Sequence, residues 1–483
     1  MGKYVTDYFL YRWRYIIGYS FIGLVIVGLL VLAGLFAPGG LSQAEMQSVV
    51  ASQAISFSLD SFQAETIVNL PYHLLQRGSI ELFGLSEISI KLSSLVLGLL
   101  SAFGMLILLR MWFRRNVAVL TAIIVIATGQ FLFISQSGTP SIMYVFFSIW
   151  LLVAAMMISR RKKWSGVWKM VLFGVVALSL YTPLSLYALV ALASAIVLHP
   201  HLRYLVRQLS KVKLLIAGIG SLVLLIPLGY GLWRDPSIGL TLLGIPSAWP
   251  NIWENIVQLG RQYLDFITPS SGAIMTPLFG LGSMILIILG ILNLATTKYT
   301  ARSYIITAWI ILLLPVLLVN PEIVGVTFLP IVLLMAMGIG TLLGNWYQLF
   351  PRNPYARLAG LLPLTVLIGG MVFSGIDRYT YGYLYDPLTA NHFSNDLRLV
   401  NKQLDSQEGN ITLVVSQDEA PFYETVANQR DSTTVVTQLP KSYKTLIISR
   451  AAYQPSKKTP VHIATDDTSQ NSDRFYIYKS GEK

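Results

Sequence analysis

The stretch "IVNLPYHLLQRGSIELFGLSEISIKLSSLVLGLLSAFGMLILL", residues 67–109, decides the fold. It opens with Ile67, Leu70, Leu74 and Leu75 at helical spacing and pauses at "FGLSE". From Ile88 to Leu109 it is mostly apolar and carries no charge apart from Lys91. That second half is long enough to cross roughly 30 Å of hydrocarbon. The first half is too polar to cross. It reads as an amphipathic helix lying along a membrane surface, or as an ordinary re-entry helix with no chemistry of its own.

The rest of the chain repeats the apolar half. Of 483 residues, 54% are hydrophobic and only 12% charged, a polytopic membrane protein and not a soluble domain. Eleven spans are predicted, near 15–36, 89–110, 117–135, 140–158, 168–182, 184–199, 214–233, 275–296, 304–319, 323–345 and 358–375. The fifth and sixth are joined only by "YTPLS" and form a candidate tight hairpin. The run 15–36 reads as an uncleaved anchor. There is no cysteine, which excludes disulfides, thiolate catalysis and thiolate-bound zinc.

The net charge of +12 is read as topology, not as a nucleic-acid surface. With the N-terminus inside, the cytoplasmic segments collect Arg12, Arg14, Arg110, Arg115, Arg160, Lys163, Arg203, Lys211, Arg302 and Arg357, with Asp7 their only acid. This is the positive-inside pattern, and an odd span count then places the C-terminal tail outside. The expected architecture is a membrane domain, 1–376, followed by a small extracytoplasmic α/β domain, 377–483. Two outer loops, 37–88 and 234–274, carry five and three acids, and the tail carries thirteen. The tail alternates helix-like stretches ("NDLRLVNKQL", "APFYETVANQ") with strand-like ones ("NITLVVS", "STTVVTQ", "KTLIISR", "PVHIATD", "FYIYKS").

No phosphate-binding loop, dinucleotide fingerprint, zinc-protease or nucleophile-elbow motif is present. The histidines do not cluster, and His199 and His201 flank Pro200 at a span end where they read as interfacial. No ligand spacing demands a metal. "LSQAE" offers Ser42 as a helix N-cap with Glu45 three residues on, a capping box that gives Glu45 a purely local role.

Several weak motifs agree in order and spacing: "QAEMQS", "NLPYHLL", "LFGLSE", "IKLSSLVLGLLSA", "RRNVAVLTAIIVIATGQFLFIS", "TPLFGLGSMILIILGI" and "FLPIVLLMAMGIGTLL". Over most of 1–375 the chain resembles the GT-C glycosyltransferases. The likeness is to the dolichyl-phosphate-mannose–protein mannosyltransferase-like group, which includes the aminoarabinose transferases of lipid A. The chain departs from the group's pattern at several points. Ala44 stands where an Asp usually precedes the Glu, and Asn69-Leu70-Pro71 replaces Lys-Pro-Pro. Val326-Thr327 replaces Arg-Tyr, and "SQSGTPSIMY" lacks the usual Arg or Asp.

The resemblance implies transfer of a sugar from a polyprenyl-phosphate donor to an extracytoplasmic protein, lipid or glycan acceptor, with inversion. A carboxylate would serve as general base and cations would hold the leaving phosphate. Its acidic position falls on Glu45, with Asp60 and Glu65 as alternatives. Arg234, Arg77 and Arg261 are the phosphate candidates, and Asn69, Tyr72, His73, Trp253 and Tyr263 the substrate-binding ones. No cofactor is called for, though a divalent metal remains compatible. The location implied is a bacterial cytoplasmic membrane, with the active side and the tail outward. The replaced motif residues keep an inactive scaffold in envelope assembly as the alternative. A transporter is disfavoured, because transporters carry functional charges inside their spans.

Overall fold

The computed structural model describes residues 9–36, 40–55, 64–160, 164–246, 248–267, 275–297, 299–349, 354–384, 392–407, 409–430, 432–440, 442–453, 459–465 and 473–479. The chain begins with α1 (Phe9–Phe36), β1 (Leu41–Ser42), α2 (Gln43–Gln53), α3 (Ala64–Ile67), α4 (Leu70–Phe83) and α5 (Glu87–Trp112). Then come α6 (Arg115–Ile126), α7 (Gly129–Gln136), α8 (Ile142–Arg160), α9 (Ser165–Ser179), α10 (Ser185–Leu198), α11 (Pro200–Arg207) and α12 (Lys211–Arg234). The helical part ends with α13 (Ser237–Leu243), α14 (Ile252–Leu264), α15 (Leu281–Thr296), α16 (Ala301–Val319), α17 (Phe328–Leu349) and α18 (Pro354–Leu384).

Among the described residues, six helices are long and apolar enough to cross a membrane, or up to eight if each bent pair is one span. Shorter apolar helices, α9 and α15, add to these, and each of the eleven predicted runs overlaps a helix. The third predicted span is the clearest departure. It is broken between α6 and α7, which meet at 61°. Thr128 causes the break by capping α7: its Oγ1 accepts from Phe131 N at 3.3 Å and donates to Val125 O at 2.6 Å. The bend is held from outside by α18, whose Gly375 lies so close that a Cβ there would sit 2.1 Å from Ala127 O. The tenth predicted run starts as a 3-10 turn, Pro321–Thr327, because Pro321 cannot extend the preceding helix.

Small residues let the helices approach. A Cβ on Gly290 would sit 1.9 Å from Leu334 O, and one on Gly338 1.9 Å from Leu286 O, so α15 and α17 pack backbone to backbone. The "YTPLS" connection is the tight hairpin expected. Leu184 sits at φ 62° and donates its N–H to Leu242 O at 2.8 Å, while Tyr181 O accepts Asn69 N at 2.8 Å. Both long loops are thereby stapled to one hairpin.

The two ends of the bundle differ. At one end, Arg302 and Arg160 cap the last carbonyls of α5, Trp112 O and Met111 O, and Arg110 stacks on Tyr19. At the other sits the soluble region: β2 (Phe393–Ser394), α19 (Asp396–Ser406), β3 (Ile411–Val414), α20 (Ala420–Ala427), β4 (Thr433–Val436), β5 (Thr445–Ser449), β6 (His462–Thr465) and β7 (Asp473–Lys479). Its five-stranded sheet runs β4-β3-β5-β7-β6, parallel among β4, β3 and β5 and antiparallel at β7 and β6. Every helix and strand read from the tail is present.

The pairing of β1 with β2 had no sequence signal. Leu41 faces Ser394, and a Cβ on Gly40 (φ 103°) would strike Ser394 O at 2.5 Å. The first loop and the C-terminal sheet region also share one core. Leu41, Val49, Ile80, Leu85 and Ile90 pack with Leu397, Val400, Phe422 and Phe475.

Candidate functional site

At the end that carries the C-terminal sheet, the first loop folds over the start of α5 and the 137–141 turn between α7 and α8. Glu45 lies at the centre of this junction with 0% exposure. Its position follows from local chemistry. Ser42 caps α2 by accepting from Glu45 N at 3.3 Å, and Glu45 Oε2 accepts from Ser42 N at 2.7 Å, so the capping box is complete. The carboxylate also acts beyond its own helix. Oε1 accepts from Gly138 N at 2.5 Å and lies 3.8 Å from Lys91 Nζ. Lys91 in turn donates to Gly40 O at 2.8 Å.

Gln76 ties the same parts together from α4. Its Nε2 donates to Gly138 O at 2.9 Å and to Ile90 O at 3.2 Å, and its Oε1 accepts from Ser48 Oγ at 2.8 Å. Tyr72 OH and Ser94 Oγ are 2.8 Å apart, and Ser94 Oγ donates to Thr139 O at 3.3 Å. Ser137, Thr139 and Ser141 form a separate hydroxyl chain at 2.8 Å per step. The turn lacks a charged residue and carries hydroxyls and a backbone N–H beside a single carboxylate.

Helix α4 shows why the first loop stays at the surface. Tyr72, His73, Gln76 and Ser79 face inward, while Leu74, Leu75, Leu82 and Phe83 are exposed. Ile67 and Leu70, expected on the same lipid-directed face as Leu74 and Leu75, are buried instead, with Tyr181 and Leu228. Burial pushes the Tyr72 phenol far up and brings the His73 imidazole down to about 4, so His73 is neutral. Asn69 contributes through its backbone. It holds φ 60° ahead of Pro71, a conformation Asn tolerates, and its carbonyl accepts from Tyr72 N and His73 N.

The other sequence candidates are scattered. Arg77 pairs with Glu81 at 2.6 Å and donates to Ile55 O, holding the end of α2. Arg234 and Arg261 are exposed at the last turns of α12 and α14. Trp253 is 71% exposed on α14, whereas Tyr263 is half-buried with its hydroxyl bonded to Thr327, and desolvation pushes its phenol up. Asp60 and the Glu65 side chain lie outside the described residues. Among the described residues no group of three or more His, Asp or Glu side chains is arranged to hold a metal ion.

Sequence reading missed Gln76, Gly138, Lys91, Arg378 and Tyr379. Lys91 alone had a signal, as the one charge in the run from Ile88 to Leu109. Tyr379 is fully buried, and its OH is 3.5 Å from Ala33 O. Arg378 donates one Nη1 bond to Pro277 O. Its Nε and Nη2 are buried with no acceptor.

Comparison with known proteins gives two findings. The family model for dolichyl-phosphate-mannose-protein mannosyltransferase matches residues 70–230, the segment that supplies Tyr72, Gln76, Lys91, Ser94 and Gly138. Among solved structures, ArnT from Cupriavidus metallidurans bound to undecaprenyl phosphate aligns over 97% of this chain and 99% of its own, with TM-score 0.51 and 14% identity. An oligosaccharyltransferase from Archaeoglobus fulgidus, in the apo form, aligns over 84% of this chain with TM-score 0.53 and 13% identity. This chain spans 63% of that protein's length. No curated protein matches the chain. At such identities the structures establish a shared fold. Together with the family match they bear out the resemblance: this is a multi-pass membrane protein with the GT-C glycosyltransferase fold, similar over residues 70–230 to the dolichyl-phosphate-mannose–protein mannosyltransferase family, and that similarity supports an enzyme.

Proposed function

We propose that this protein is a membrane glycosyltransferase that moves a sugar from a polyprenyl-phosphate carrier to an acceptor at the face bearing the soluble region. The observation that carries the reading is the coincidence of the family match, residues 70–230, with the residues that enclose Glu45. The one-sided basic residues support an outward orientation of that face in a bacterial cytoplasmic membrane. The donor's lipid must remain in the bilayer, so the reaction belongs at the bilayer's edge, where α4 lies. Inversion follows from a single displacement: the acceptor oxygen bonds to the anomeric carbon, the phosphate leaves with the bonding pair, and a carboxylate takes the acceptor's proton.

Glu45 acts in this scheme as a positioning residue. Both its oxygens are taken by N–H donors and it is closed to solvent, so no acceptor hydroxyl reaches hydrogen-bond distance in this conformation. The base is assigned to Asp60 or Glu65 of the same loop. The enclosure of Glu45, with Ala44 ahead of it, also favours a second reading, an inactive GT-C scaffold in envelope assembly.

Membranes carrying the full chain, given a panel of labelled polyprenyl-phosphate sugars, decide between them. The enzyme reading expects transfer from at least one donor. It also expects a 100- to 10,000-fold loss in Asp60→Asn or Glu65→Gln at unchanged membrane yield. Absence of transfer from every donor establishes the scaffold.

A further inference from the structure

Between α15 and α18 lies a cavity of about 320 Å³, lined by Leu278, Leu281, Val366, Leu367, Met371 and, at its upper end, Arg378. Gly280, Gly282 and Gly370 also line it, which keeps it open; a Cβ at Gly280 or Gly370 would meet no atom within 4 Å. From Val366 to Arg378 the helix climbs about 18 Å. Apart from the hydroxyls of Thr128, Ser283 and Ser374 the rest of the wall is apolar, and Val366 on it is exposed. The upper end reaches the level of the Glu45 junction, because the neighbouring Tyr379 touches the last turn of α1 at Ala33 O.

Arg378 is the anomaly. A guanidinium has five N–H donors and never loses its charge. Here Nη1 reaches one carbonyl, Nε and Nη2 are buried without an acceptor, and no described carboxylate pairs with it. The residue is half-buried, but enclosed donor atoms on a cation are costly to leave unfilled. An acceptor with several anionic oxygens, attached to a long apolar chain, would satisfy the fork above and the groove below together.

We propose that Arg378 anchors the phosphate of the polyprenyl-phosphate carrier, with the isoprenoid chain lying along the α15–α18 groove. The assignment rests on the functional reading above and replaces Arg234, Arg77 and Arg261, which are exposed or engaged elsewhere. The same chemistry is offered by a phospholipid headgroup or by free phosphate, so the test must separate them.

The full chain in detergent is titrated with undecaprenyl phosphate and binding is read by native mass spectrometry. Competition is then measured with phosphatidylglycerol and with inorganic phosphate. Arg378→Gln is expected to weaken binding tenfold or more. Gly370→Leu, which fills the groove and leaves Arg378 intact, is expected to weaken it similarly while retaining the wild-type melting temperature. Neither competitor should displace the ligand at tenfold excess. Unchanged affinity in Arg378→Gln overturns the anchor even if the wild type binds and transfers sugar. Equal displacement by phosphatidylglycerol overturns the choice of carrier. A wild type that binds no undecaprenyl phosphate takes the functional reading down as well. If Arg378→Gln fails to fold, unchanged affinity in Gly370→Leu overturns the groove.

Discussion

Glu45, which is buried, and Arg378, which is half-buried with its Nε and Nη2 enclosed, differ in one respect. Glu45 receives two backbone N–H bonds and the ammonium of Lys91. Arg378 receives one carbonyl and keeps two nitrogens unfilled. A charge with its donors in place is part of the framework, because removing it strands its partners. A charge without them is held by the framework for something else. The contrast separates scaffold from site where residue type alone cannot.

The largest effect should come from breaking the satisfied charge. Glu45→Ala strands Ser42 N–H, Gly138 N–H and Lys91, and should destabilise the protein by about 3–5 kcal/mol, read by chemical denaturation in detergent. A change under about 1 kcal/mol would mean the junction is not a stability element.

Acidification tests the same junction next. His73 is neutral in the fold, with its value lowered to about 4, against about 6.5 when unfolded. Below pH 6.5 the unfolded chain binds the proton that the folded one refuses. Stability is therefore full above pH 6.5 and is lost as pH falls toward 4, by up to about 2–3 kcal/mol. His73→Gln should flatten that slope, and a variant with the wild-type slope would assign the acid sensitivity to another group.

The smallest effect belongs to the unsatisfied charge. Without ligand, Arg378→Gln removes a cation whose burial is uncompensated and should shift stability by less than about 1 kcal/mol in either direction. A loss comparable to that of Glu45→Ala would erase the distinction between the two charges.

Much of this was legible in one dimension. Apolar runs must be helices in a bilayer, since no water is there to satisfy an open backbone, so composition and length located the eleven runs. Alternation and turn residues located the strands of the tail. The capping box at Ser42 and Glu45 depends on four consecutive residues and was readable for that reason. What separated Glu45 the cap from Glu45 the hub was Gly138, which is 93 residues away in sequence and contributes only a backbone N–H. Backbone donors leave no mark in residue type.

The break in the third span followed the same logic. Thr128 hints at a cap, but the bend is held by contact with Gly375 of α18. The sequence by itself determined the membrane architecture, the positions of the helices and strands and the charge asymmetry, because these depend on hydration free energies of short segments. Only the tertiary structure decided which charged groups are satisfied, because satisfaction depends on partners brought together from distant parts of the chain. By that criterion Lys91 and Gln76 joined the site, Arg77 was committed to Glu81, and Arg378 was left with donors to spare.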